Sequence, residues 1–271
     1  MNKILLIVVF FTVACGSTQK NSSSQNSSSN NAYETAKQTW AAGDEQKAKQ
    51  LFIQVTKELA AKDNLSSTEH LALGDSNFYL QNYEKAQYYL GKYLETNSSD
   101  TIAVCKMGKT KFHMEFYKDA IPYLQKCHKN SPQDAQISYF LARSMQKSNQ
   151  GVNKEALTLY QKSAENGNTK AMLELAEIYR YNKYNSRAKK LYEKYIRQGG
   201  KLGPQAQEWL SGQQPPVVAV APTPEQSTSV EVPVEEAQPE EILMVCPVCG
   251  RLGEKDSQLC TFDGEPLEPL N

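Results

Sequence analysis

The chain lacks any run of about 18 or more apolar residues, which excludes a membrane-spanning helix of ordinary length. Six cysteines in 271 residues are too few for a disulfide scaffold. Net charge is absent as well: 30 basic residues balance 30 acidic ones, so charge alone argues for no polyanionic partner. Apolar residues make up 39% of the chain, below the usual globular share. There is no glycine-rich phosphate loop, no Ser-His-Asp set and no metalloprotease motif. His70 and His128 have no cysteine or carboxylate at metal-ligand spacing. These absences exclude the common routes to enzymatic chemistry.

The ends of the chain differ in composition from its middle. Met1-Asn2-Lys3 carries one positive charge, and Ile4 to Ala14 is almost unbroken apolar sequence. That is the length of a signal-peptide core and too short to span a bilayer. The segment ends in Thr12-Val13-Ala14-Cys15-Gly16, which resembles a bacterial lipoprotein box with Thr12 where Leu is usual. The resemblance implies a signal peptide over 1–14 and a diacylglycerol on Cys15. Gly rather than Asp at position 16 implies the outer membrane. The residue leaves the face open, and the expected location is lipid-anchored there, facing the periplasm. Gly16 to Asn31 is nearly all Ser, Asn, Gln and Gly, so 15–32 reads as an anchor and flexible tether.

Between Tyr33 and Ser211 the sequence repeats. Ala36, Gly74, Gly108, Ala142 and Ala176 stand 38, 34, 34 and 34 residues apart. An alanine follows each after twelve residues (Ala48, Ala86, Ala120, Ala188), except that Ala156 follows after fourteen. The two extra residues lie in Ser148-Asn149-Gln150-Gly151-Val152-Asn153. Four residues beyond each alanine sits Phe52, Leu90, Leu124, Tyr160 or Tyr192. Helical spacing in each half, with a turn such as Leu80-Gln81-Asn82-Tyr83 between, predicts two antiparallel helices per unit. A small residue lets the helices approach, and the large one is expected to fill the hole between successive units.

These units resemble tetratricopeptide repeats: Leu73-Gly74, Tyr83, Ala86 and Leu90 fit the pattern, as do Met107-Gly108, Tyr117, Ala120, Leu124 and Pro132. The fourth and fifth drift toward the Sel1-like form. The expected fold is therefore all-α, a superhelix of about five hairpins over 33–211, stabilised by stacking of neighbours. Leu202 to Ser211 reads as a capping helix with Trp209 in the core. Cys105 and Cys127 fall level on the two helices of the third unit, where an oxidising compartment permits a disulfide.

The resemblance also implies a concave groove lined by the first helix of each unit. Carrying its positions over gives Lys109, Phe112, His113, Tyr139, Arg143, Lys147 and Tyr181, and further members such as Asp75, Phe78 and Glu177. Its middle alternates cations with aromatics, which suits an extended acidic peptide. The groove lacks the family's Lys-Asn-Asn-Lys-Arg set, so a chaperone-tail ligand does not carry over.

From 212 to 241 the sequence becomes Pro- and Glu-rich, with no basic residue, and reads as an extended linker. Beyond it, 242–271 holds Cys246-Pro247-Val248-Cys249-Gly250 and Cys260-Thr261-Phe262-Asp263-Gly264. The pair resembles the knuckles of a zinc ribbon, with Asp263 in place of the fourth cysteine. The candidate metal ligands are Cys246, Cys249, Cys260 and Asp263, and the candidate ion is structural zinc. A Cys246–Cys249 disulfide and a tail without fixed structure are the alternatives; a segment this small needs metal or a crosslink to fold. The sequence as a whole reads as a non-enzymatic envelope scaffold for other envelope proteins or extended acidic peptides, anchored by lipid and binding no nucleic acid. The alternatives are an envelope-associated hydrolase and a cytoplasmic nucleic-acid-associated zinc-ribbon protein.

Overall fold

Four of the hairpin turns share one backbone device. In the computed structural model, which describes residues 22–149, 151–212, 241–247 and 249–270, the residue before each turn's last position takes a left-handed conformation. It is Gly43 in the first hairpin, at φ 88°, and Gln81, Glu115 and Lys183 in the second, third and fifth, at φ 62°, 62° and 64°. The residues read above as signal peptide, Cys15, the first part of the expected tether and nearly all of the expected linker lie outside the described residues.

The chain divides into two compact units, 1–65 and 66–271. The first contains α1 (Ser22–Ala41) and α2 (Glu45–Ala60). Asp44 caps α2 by accepting from the Lys47 amide at 3.1 Å. Ala36, Ala48 and Phe52 are fully buried, and Trp40 tilts against Phe52 with centroids 6.4 Å apart. The stretch expected as a tether over 15–32 enters the described residues at Ser22, where α1 begins. Once the packed segment from Tyr33 nucleates the helix, adding turns costs little even for Ser and Asn. Thr35 and Thr39 bond back to the carbonyls of Asn31 and Thr35.

The second unit runs α3 (Ser67–Tyr79), α4 (Tyr83–Thr96), α5 (Thr101–His113), α6 (Tyr117–Asn130), α7 (Ala135–Ser148), α8 (Lys154–Glu165), α9 (Thr169–Tyr181), α10 (Asn185–Arg197) and α11 (Pro204–Gly212). First helices begin at side-chain caps: Ser66 with Glu69 as a capping box, then Asp100, Asp134 and Asn168. From α3 to α10 each helix packs on the next, and α5 also touches α3 and α7, so these three first helices share one inner face. A disulfide joins Cys105 to Cys127, linking α5 to α6 with Cα atoms 5.2 Å apart.

The small residues work at close range. A Cβ on Gly74 would stand 2.8 Å from Leu90 Cγ, and one on Gly108 3.0 Å from Leu124 Cγ. Each large residue thus fills the hole inside its own hairpin, not one between successive units as the repeat spacing suggested. Trp209 on α11 packs on Tyr192, with centroids 5.6 Å apart, at the edge of the core. The tail returns to the repeats: β1 (Met244–Val245) pairs antiparallel with β2 (Glu268–Pro269), and Leu243, Val245 and Leu252 join the hydrophobic core of the last repeats.

Candidate functional site

The inner face gathers aromatic and cationic side chains from α3, α5 and α7. Phe78, Phe112, His113 and Phe140 form a connected cluster: Phe112 meets Phe140 edge-on at 4.7 Å, and His113 lies 6.2 Å from Phe78 and 5.7 Å from Phe140. His113 also stacks flat on Tyr83 of α4, 4.8 Å apart at 7°. Desolvation first, then the charges of Lys170 and Lys109, holds the His113 imidazole below its ordinary range. Lys109 reaches over Phe140 and donates to Gln136 Oε1 at 2.9 Å.

Of the residues predicted from the sequence, the structure brings Lys109, Phe112 and His113 into this one cluster. Tyr139 sits further along, half-buried, its ring 6.2 Å from Tyr160, and desolvation raises its phenol. Arg143 forms an ion pair with Glu174. Lys147 and Tyr181 are exposed on the last turns of α7 and α9. Two cations of this face are therefore matched by the protein's own carboxylates, because Lys106 pairs with Asp75 at 2.6 Å. Phe140, Tyr83, Lys106 and Glu174 belong to the face but escape a reading by repeat position. Phe140 lies two residues before Ala142, off the register used, and Tyr83 comes from a second helix. The aromatic richness of each unit was the available signal.

The second site is the pair of knuckles in the tail. Cys246, Cys249, Cys260 and Asp263 each point a ligand atom to one spot, all within 4.8 Å of one another. Cys246 Sγ lies 3.3 and 3.4 Å from the Asp263 oxygens, and Cys249 Sγ lies 3.6 Å from Cys260 Sγ. Each knuckle closes with the same amide bond: Gly250 N to Cys246 O at 2.8 Å, and Gly264 N to Cys260 O at 2.9 Å. Both glycines take positive φ, 67° and 76°, which a side chain would oppose. The Cys249 amide donates to Cys246 Sγ, so that sulfur is oriented from within its own turn.

The donor set fits a borderline-soft divalent cation. A tetrahedral zinc with sulfur at about 2.3 Å spaces its ligand atoms at about 3.8 Å, and the observed separations bracket that value. Hydrogen bonds from the thiols, that of Cys260 foremost, hold the Asp263 carboxyl at about 2. Burial pushes the Cys249 thiol up to about 12. The cluster can hold a metal.

No family model and no curated protein sequence matches the chain. Solved structures do. The chain is similar to PilF of Pseudomonas aeruginosa, at 14% identity and a TM-score of 0.50, over 70% of this chain and 90% of that one. It is similar to a point mutant of MamA at 19% identity and a TM-score of 0.50, over 64% and 96%. It also aligns with YrrB, described as a tetratricopeptide-repeat protein with an unusual peptide-binding site, at 18% identity and a TM-score of 0.44, over 61% and 84%. The fold is a tetratricopeptide-type array. At these identities the likeness to PilF and MamA is one of architecture, and it agrees with the hairpins and small-residue crossings described above.

Proposed function

We propose that this chain is a non-enzymatic scaffold that holds an extended segment of another protein on the inner face of its repeats. The observation behind this reading is the cluster of Phe78, Phe112, His113 and Phe140, with Lys109 beside it. Stacked helical hairpins offer broad curved surfaces. Here that surface supplies rings for stacking and cations for carboxylates. Because Arg143 and Lys106 are already paired, a fitting partner offers apolar or aromatic side chains interspersed with carboxylates rather than a purely acidic tract.

The same reading puts the protein in a cell envelope, held by a lipid on Cys15 at the outer membrane and facing the periplasm; the lipoprotein-like sequence around Cys15 is what supports it. The Cys105–Cys127 disulfide supports an oxidising compartment. It further assigns structural zinc to Cys246, Cys249, Cys260 and Asp263, where the ion would cross-link two knuckles too small to fold alone. The test is affinity purification from cross-linked intact cells grown with labelled palmitate. Label in the mature chain, and a partner lost on Phe112→Ala with Lys109→Glu, are the expected results. An unlabelled chain overturns the anchoring, and a partner list unchanged by the double variant overturns the groove.

A further inference from the structure

The two extra residues of the fourth unit have a structural counterpart in the tail. The segment they enlarge, between α7 and α8, receives the first knuckle through main-chain contacts. Lys154 N donates to Gly250 O at 2.6 Å, and Leu252 N donates to Val152 O at 3.2 Å. Asn153 and Arg251 form an antiparallel bridge, and Arg251 Nη2 donates to Asn149 O at 2.9 Å. Gly250 directly follows the candidate ligand Cys249, and its positive φ belongs to the knuckle. The turn that aims the ligands therefore also aims the carbonyl that meets the start of α8.

Other contacts fix the tail to the fifth hairpin. Met244 N donates to Tyr184 Oη at 3.0 Å, and Lys255 N donates to Asn182 O at 2.8 Å. Arg251 spans the two knuckles as well, its guanidinium lying 3.7 Å over the Phe262 ring. The tail's own apolar core is little more than Cys246, Cys260 and Leu267, with Met244 and Cys249 beside them. Most of that core consists of ligand sulfurs, so the tail depends on what ties them together. Docked in this way, Arg251, Leu252 and Thr261 form one wall of a cleft of about 480 Å³ whose other wall includes Glu174, Glu177 and Tyr181 of α9.

We propose that metal binding at the Cys246–Cys249–Cys260–Asp263 knot fastens the tail to the α7–α8 connection and thereby sets the shape and stability of the C-terminal end of the groove. The inference rests on the metal reading above and adds a regulation to it: the groove's last stretch is complete only when the knot is closed. Linkage makes the coupling reciprocal. Metal protects the last hairpins, and contacts made by those hairpins tighten metal binding.

The test uses the full chain with zinc ion alone as the probe. Hydrogen exchange is followed by mass spectrometry, and zinc affinity by competition with a chromogenic chelator. Zinc is expected to slow exchange across α8–α10 and to leave α3–α6 unchanged. Tyr184→Phe, which lies outside the knot and removes only the acceptor for Met244 N, is expected to weaken zinc binding about fivefold. Arg251→Ala provides a second variant at a surface contact, expected to weaken it in the same direction. Zinc uptake without slower exchange in α8–α10, or with unchanged affinity in both variants, overturns the coupling and leaves the metal reading intact. No zinc uptake at all overturns both.

Discussion

Lys106 Nζ lies 2.6 Å from Asp75 Oδ2, an ion pair that bridges the first helices of two successive repeats with side chains only 12% and 5% exposed. The lysine also passes over the Tyr79 ring, 4.7 Å from its centroid. Breaking a pair this enclosed by removing one partner leaves a charge with its desolvation cost uncompensated, at about 3–5 kcal/mol. Lys106→Met is expected to lower unfolding stability by about 3 kcal/mol, and adding Asp75→Asn should restore much of it. Urea unfolding of the two variants checks this; equal losses in single and double variants would contradict it.

The small-residue crossings make a second, two-sided prediction. Gly74→Ala and Gly108→Ala force a methyl against Leu90 and Leu124 and should destabilise by about 1–3 kcal/mol. Gly91 lies mid-helix with only Met107 Cε nearby, at 3.9 Å, so Gly91→Ala should stabilise by about 0.5–1 kcal/mol through helix propensity. Thermal melting of the three variants reads opposite signs.

The disulfide closes a separation of 22 residues. Loop-closure entropy for that length amounts to about 3 kcal/mol. Cys105→Ala with Cys127→Ala is expected to lower stability by roughly that amount, measured under conditions where the wild-type bond is intact, while the groove-facing side chains keep their arrangement.

Burial depresses the pKa of both His113 and His128 below the ordinary histidine value. The unfolded chain then binds more protons than the folded one just below that ordinary value, so stability falls as pH drops through about 6.5. His113→Gln, which cannot titrate, should flatten this decline between neutrality and the onset of carboxylate protonation. Denaturant midpoints at a series of pH values decide it.

How far the sequence discloses this molecule varies by element. The hairpins were legible because a 34-residue period repeats the same small, small and large residues, and those positions are buried in the fold (Ala86 and Leu90, Ala120 and Leu124). The ligand spacing of the tail was legible because glycine follows each knuckle and the four donors converge. The matching of Arg143 by Glu174 was not, because the two stand on different repeats and only stacking brings them level. The docking of Gly250 and Leu252 on Lys154 and Val152 was equally hidden: it uses main-chain atoms, which leave no residue-type signature.

The most direct measurement places a photo-crosslinking amino acid at Phe112, inside the aromatic cluster, and at Tyr88, which is 59% exposed on α4, in otherwise unchanged chains in intact cells. The account predicts a discrete protein adduct from position 112 and none from position 88. Adducts of the same pattern from both positions, or from neither, would contradict it.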